Sequence, residues 1–445
     1  MINQRHLDDL FAFLRFASVS TDATYKSQLD LCADWLITKF TNMGLNAELH
    51  PTPGHPIVLA RTKTDPAKKT VLIYGHYDVQ PVDPLNLWTH PPFEPHLENG
   101  IITARGSTDN KGQILSHILG VQETLKLTPE LPVNLIFLVE GEEEIGSPNL
   151  ASFIQTHLTE LACDVIVISD TGMVAPQHPT FTYGLRGIAA LEIFLQGPDK
   201  DLHSGIYGGA VANPITVLTR LIASLHDEQG RIAVPGFYSE VRELQSWERD
   251  SWKTLPLNDA ELLLLTGSPS LTGEASYSAL ERCWARPTAE LNGISGGYQG
   301  EGTKTVLPSK ASAKLTFRLV PDQDPETIIE RVCTHLKTSC PTSVHMELKL
   351  GHSGKPYLVD PNSPYGLAAQ RALSCAFPVN AIALIREGGS IPIVATFKEL
   401  LGVDTLLLGL ALPDCRAHSP NENFPLENFA AGILLNQKLL KELAL

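Results

Sequence analysis

The chain reads as an α/β protein: a mostly parallel sheet covered by helices, interrupted by an inserted α+β domain. Three observations predict this. Apolar runs at 71–75, 133–139, 164–169 and 405–412 are continuous, as in strands buried on both faces. From residue 187 to about 350 the strands instead alternate apolar and polar side chains, as in a sheet covered on one face only. At 445 residues the chain exceeds one ordinary domain and is long enough for two cores.

Taken in order, 6–18 (Phe11, Leu14, Phe16) and 26–43 (Leu29, Leu31, Trp35, Phe40) carry helix-period apolar spacing and predict sheet-covering helices. A strand over 71–79 follows; its apolar run stops at Gly75 and presents His76 and, two residues on, Asp78. One side-chain period separates the pair, so a carboxylate stands where it can orient a metal-binding imidazole, or the two simply cap a strand end. Pro81, Pro84, Pro91, Pro92 and Pro95 exclude a helix or central strand and define a long loop. Asp109 precedes a helical pattern at 113–126, either as its N-cap or as a site residue.

The next strand, 133–139, runs into Glu140-Gly-Glu-Glu-Glu144, where four carboxylates repel one another unless water or a cation intervenes. Strands over 164–169 and 405–412 lead to Asp170 and His418. Each end has an innocent explanation. A parallel sheet nevertheless brings such ends to one rim, and the coincidence of His76, Asp109, Glu143 or Glu144, Asp170 and His418 predicts a shared site.

In the inserted region, Ala189, Leu191, Ile193 and Leu195 alternate with polar neighbours, as do Ala313, Leu315, Phe317 and Leu319, and Val344, Met346, Leu348 and Leu350. Helical patterns at 212–226 and 325–337 lie among them, the second opened by Asp324 and Pro325. The order is β-α-β-β-α-β, the ferredoxin-like arrangement, with 228–287 as an insertion. The expected division is 1–186 and 353–445 for the first domain and 187–352 for the second.

A composition of 43% hydrophobic and 19% charged residues is that of a soluble globular protein, and a net charge of -15 argues against nucleic acid or an anionic membrane as partner. No apolar run approaches the ~18 residues of a membrane span. The opening residues read as an amphipathic helix and not a secretory signal. No Gly-rich fingerprint follows the first strand, against dinucleotide binding. Seven scattered cysteines without CxxC spacing predict reduced thiols and a cytoplasmic location. Two histidines with three or more carboxylates suit zinc, cobalt or manganese. Five ligands exceed the usual complement of one catalytic zinc, which predicts two ions ~3.5–4 Å apart sharing a carboxylate. A further, unbound carboxylate is then needed to carry a proton.

Several separated motifs bear on this: Gly75-His76-Tyr77-Asp78, the run from Arg105 to Gly112, Glu142 to Ser147, Ser169-Asp170, Asp201 to Gly209, Lys304-Thr305, Phe317-Arg318, Arg386 to Ser390 and Ala417-His418-Ser419. Together and in this order they resemble the M20 family of metallopeptidases, and within it the cytosolic non-specific dipeptidase and carnosinase branch. The resemblance implies a dizinc exopeptidase-like fold with two divalent metals, usually zinc, with manganese or cobalt as alternatives. His76 and Asp170 would hold one metal, Glu144 and His418 the other, with Asp109 bridging. Glu143 would be the general base and acid, and Asp78 the orienter of His76. Glu140 and Glu142 are left as solvated or helix-capping charges.

The same resemblance makes the inserted domain a lid and homodimerisation surface from which His203 reaches the partner's site to stabilise the oxyanion. Arg318 would clamp the substrate's C-terminal carboxylate, and alternation independently sets it opposite the apolar face of its strand. Thr305, Ser390 and Gly389 would add substrate contacts. The expected activity is cleavage of the amide bond of dipeptides or short peptides through a metal-bridging hydroxide, with Glu143 as base. An N-acyl amino acid deacylase or desuccinylase is the runner-up, and a catalytically silent peptide-binding homologue the reading from another class.

Overall fold

The computed structural model describes residues 2–377, 381–389 and 391–445, and Ser390 lies outside the described residues. Two compact units emerge: Met1–Tyr183, Val359–Ile385 and Thr396–Leu445 form the first, Gly184–Leu358 and Arg386–Ala395 the second. The segment Arg386–Ala395, placed by the sequence reading in the closing part of the first domain, groups with the second unit.

The first unit is built on a sheet with strand order Asn46–His50, Ile57–Arg61, Asn134–Glu140, Thr70–His76, Val165–Ile168, Thr405–Leu407 and Thr180–Leu185. Its centre is parallel and its outer strands are antiparallel. Every residue of Asn134–Glu140 is buried, which explains the unbroken apolar run. The predicted helices appear as Gln4–Leu14, Lys26–Asn42 and Lys111–Leu127. A further helix, Leu426–Glu442, closes tightly on Lys111–Leu127. A Cβ at Gly120 would lie 2.5 Å from that of Asn436, and one at Gly432 would lie 2.9 Å from that of Ser116, so both glycines permit the approach.

Two expectations are corrected. The strand expected over 405–412 spans only Thr405–Leu407, because Gly409 lies against Thr171, where a Cβ would come within 2.1 Å of backbone carbon. Nor is Asp109 the N-cap of the helix; Asn110 holds that position, without a capping side-chain bond. A small antiparallel sheet of His96–Glu98, Ile101–Thr103 and Asn423–Pro425 completes the unit.

The second unit holds an antiparallel sheet in the order Thr288–Gly296, Lys310–Leu319, Gly187–Gln196, His345–Gly354. Helices Pro214–Ala223 and Pro325–Ser339 share a core with it. Along Lys310–Leu319 burial alternates residue by residue, as expected. The edge strand His345–Gly354 realises the pattern only in part: Met346 and Leu348 are half-buried and Leu350 is exposed, just before the register shifts. The insertion holds three short helices, Ser246–Lys253, Asp259–Thr266 and Ala279–Ala285, the first and third joined by Trp252 edge-on to Trp284. Buried ion pairs, Arg286 with Glu274 and Arg386 with Glu248, lie in the same unit.

Candidate metal centre

His76 ends the Thr70–His76 strand with its ring fully buried. Its Nε2 lies 3.2 Å from Asp109 Oδ1 and 3.8 Å from Asp170 Oδ2, yet makes no hydrogen bond. The other oxygen of Asp109, Oδ2, is 2.8 Å from His418 Nε2, and Glu144 Oε2 is 3.4 Å from the same nitrogen. Asp109 therefore stands between the two imidazoles, with Asp170 beside one and Glu144 beside the other. The Asp109–Asn110 peptide is cis, and His418 sits at φ 60 in the loop after the Thr405–Leu407 strand.

The donor set fits divalent cations. Ligand atoms of His76, Asp109 and Glu144 lie within 4.8 Å of one another, and a buried imidazole nitrogen without a hydrogen-bond partner, set among carboxylate oxygens, suits a cation. The electrostatics agree. Burial pulls the His76 imidazole down, but the adjacent carboxylates of Asp109, Asp170 and Asp78 hold it well above its ordinary value. His418 is pushed up to about 9, chiefly by its bond to Asp109. Burial raises Asp109, but both imidazoles overcome it and hold the carboxyl far below its usual range. Glu144 is driven up to about 8 by burial and the Asp109 charge, and Glu143 is driven well up by burial, with Asp170, Glu144 and Asp109 adding to the effect. These shifts follow from packing several carboxylates around two imidazoles.

Asp78 is fully buried and organises more than His76. Its Oδ1 is 3.3 Å from His76 Nδ1 and accepts from Glu143 N at 3.2 Å, while Oδ2 accepts from Glu144 N at 3.1 Å. One carboxylate thus sets the histidine and the short 3-10 turn Glu143–Ile145 that carries both glutamates.

Sequence reasoning missed the supports around the cluster. Glu422, buried, pairs with Arg105 Nη1 at 2.7 Å and accepts from the backbone N–H of Gly106, Thr108 and Asp109, each at 2.9 Å. Asn110 Nδ2 donates to Asp170 Oδ1 at 2.8 Å and to Ser169 O at 2.6 Å, and Gln80 Nε2 donates to Glu144 Oε2 at 2.8 Å. The one available signal was that a buried Arg105 needs an acid, and nothing in the pattern singled out Glu422. Glu140 and Glu142 are corrected in part: neither is solvated, although Glu142 holds the N-cap position of the Glu143–Ile145 turn, without a capping side-chain bond. Glu140 accepts from Tyr74 Oη at 2.6 Å and Ser147 Oγ at 2.8 Å, and Glu142 accepts from His55 N at 3.0 Å and Asn149 Nδ2 at 2.8 Å.

The other candidates lie in the second unit. His203 is exposed and caps a short turn, its Nδ1 accepting from Gly205 N at 3.1 Å. Its strand, Leu202–His203, pairs with Val306–Leu307, and Ser204 N donates to Thr305 O at 3.1 Å, so His203 and Thr305 share one ladder. Arg318 is half-buried on the Lys310–Leu319 strand, on the side opposite the core-facing Phe317 and Leu319. At Gly389 a Cβ would meet nothing nearer than Glu387 Oε1 at 4.0 Å.

Imidazoles and carboxylates gathered at the strand ends of a mostly parallel sheet, with a further acid alongside, define an α/β metal-dependent hydrolase. The chain belongs to Peptidase family M20/M25/M40, whose profile matches residues 72–442. It is 34% identical over 444 residues to the Cys-Gly metallodipeptidase dug1 of Schizosaccharomyces pombe, covering 96% of this chain and 93% of that protein. The Beta-Ala-His dipeptidase of Homo sapiens is 33% identical over 399 residues, 88% of this chain and 78% of that one. Among solved structures, the M20 family metallo-carboxypeptidase Sso-CP2 from Sulfolobus solfataricus superposes with a TM-score of 0.85 at 33% identity, covering all of both chains.

Proposed function

We propose that the protein is a dinuclear metallodipeptidase that hydrolyses the amide bond of dipeptides or similarly short peptides. The observation that carries the reading is the placement of Asp109, with one oxygen toward His76 and the other toward His418. His76 and Asp170 would hold one ion, Glu144 and His418 the other, with Asp109 shared; zinc suits the donors best, with manganese or cobalt as alternatives. Bound there, the ions supply Lewis acidity that acidifies water and polarises the amide carbonyl. Glu143, half-buried and raised in pKa, takes the proton from water and passes it to the leaving amine. Asp78 fixes the tautomer and orientation of His76 and aims the turn carrying Glu143. Arg318 clamps the substrate carboxylate, His203 stabilises the oxyanion, and Thr305, Ser390 and Gly389 complete the substrate contacts.

The reading extends to a homodimer formed through the second unit. On the two edge strands of that unit's sheet Leu291, Ile294 and Leu350 expose 44%, 53% and 59% of their surface, apolar area open to a partner subunit. Seven free thiols favour a cytoplasmic setting, and no helix among the described residues is long and apolar enough to cross a membrane. The test compares hydrolysis of Cys-Gly, Beta-Ala-His and other dipeptides with that of N-acetyl and N-succinyl amino acids, alongside metal analysis. Dipeptide turnover by metal-loaded protein is expected; turnover of the acylated amino acids alone would overturn the reading. The dipeptidase names of the two relatives described above disfavour the deacylase. Mixing His203→Ala with Glu143→Ala protein should restore part of the lost activity if His203 acts across the dimer.

A further inference from the structure

We propose that His90, His96 and Glu98 form a separate, solvent-facing site for a divalent transition metal such as zinc, nickel or copper. One ligand atom from each residue lies within 4.8 Å of the others. The two imidazole rings stack with centroids 3.8 Å apart and planes 22° apart. His96 and Glu98 are one side-chain period apart on the His96–Glu98 strand, so they project to the same side, opposite Leu97. Leu97 pairs with the fully buried Ile102, which leaves the His96 and Glu98 side facing outward.

His90 is delivered by the proline-rich loop and is fixed on both flanks. Thr89 donates to Asn421 Oδ1 from its N at 2.8 Å and from its Oγ1 at 2.9 Å, and Pro92 O accepts from Arg105 N at 2.8 Å. The backbone of all three ligands is therefore already placed, and only side-chain torsions separate them from a common ion, which keeps the ordering cost of binding low. Two imidazoles and one carboxylate make a nitrogen-rich set that suits zinc, nickel or copper and disfavours calcium and magnesium. Three protein ligands leave open positions for water, so the ion exchanges readily. The site shares no residue with the His76–His418 cluster, but the loop that carries His90 reaches that cluster through Gln80, bonded to Glu144. An ion here would brace the outer end of this loop. The inference does not rest on the proposed peptidase activity.

The test uses full-length protein with its inner metals in place, freed of loose ions and titrated with nickel by calorimetry. Wild type is expected to take up one equivalent that His96→Gln and His90→Gln both lose, while Glu98→Gln weakens uptake on the order of tenfold, as disturbance of a ligand set does. With copper, electron paramagnetic resonance should show nitrogen coupling from two imidazoles in wild type and its loss in His96→Gln. Unchanged melting temperature and inner-metal content in the variants would show that the fold is intact. Absence of the extra equivalent in wild type, or its persistence in both histidine variants, overturns the proposal. Because the readout is the difference between variants, it stands or falls independently of whether dipeptides are hydrolysed.

Discussion

The first unit holds two groups of imidazoles and carboxylates, and they are built differently. Around His76, Asp109 and Glu144 nearly every candidate ligand is gripped by another polar group: Asp78 behind His76, Glu422 behind the Asp109 backbone, Asn110 on Asp170, Gln80 on Glu144. Around His90, His96 and Glu98 the backbone is placed but the side chains meet water. The same residue types would thus yield a preorganised centre in one place and an exchangeable one in the other. What separates them is the layer behind the ligands.

Chelation tests this contrast most severely. A mild chelator should remove the outer ion with turnover unchanged, whereas prolonged treatment with a strong one should abolish dipeptide hydrolysis until zinc is restored. Loss of turnover in step with the outer ion alone, followed by metal analysis, would erase the distinction. Next in size is Glu143→Ala, expected to lower kcat by about a hundred- to ten-thousand-fold with inner metal content unchanged; near-normal kcat would remove Glu143 from the chemistry.

Glu422→Gln probes the supporting layer itself. It should weaken inner-metal affinity by about 10- to 100-fold, measured by competition with a chromophoric chelator, while His96→Gln leaves that affinity alone. Equal effects from both would mean that the supports do not set the difference. A test of stability instead of metal affinity falls on His117, buried with Nε2 2.8 Å from Ser169 Oγ. Burial lowers its pKa from 6.5 to about 4, so the unfolded chain binds the proton first as pH falls. Stability from this group is fully present above the unfolded value and lost as pH drops toward the folded one, up to about 3 kcal/mol. His117→Gln should flatten the acid limb of Tm against pH between those values; an unchanged slope would assign it elsewhere.

Much of the fold was legible because burial leaves a periodic trace. The unbroken run before His76 and the strict alternation around Arg318 each reported which faces of a strand are covered. The candidate ligands were legible as residue types at strand ends, although dividing the roles of Glu143 and Glu144 required the family resemblance. The supports left no such trace. Glu422 serves Asp109 across 313 residues of sequence, and a hydrogen bond to a distant backbone N–H imposes no spacing rule. Glu140 and Glu142 misled for the opposite reason: a run of acids reads as solvated, yet tertiary partners such as Tyr74, Ser147 and Asn149 took each one inside.

The reach of Glu422 also bears on how the protein is made. Its carboxylate closes on Arg105, Gly106, Thr108 and Asp109 only after the second unit and the Thr405–Leu407 strand have been synthesised. Until then the nascent chain carries His76, Asp109 and Glu144 without His418 and without the anchor that holds the Asp109 backbone. A ribosome-bound or C-terminally truncated chain would therefore hold only part of the proposed ligand set, which would make loading of the complete centre a late event in the protein's maturation.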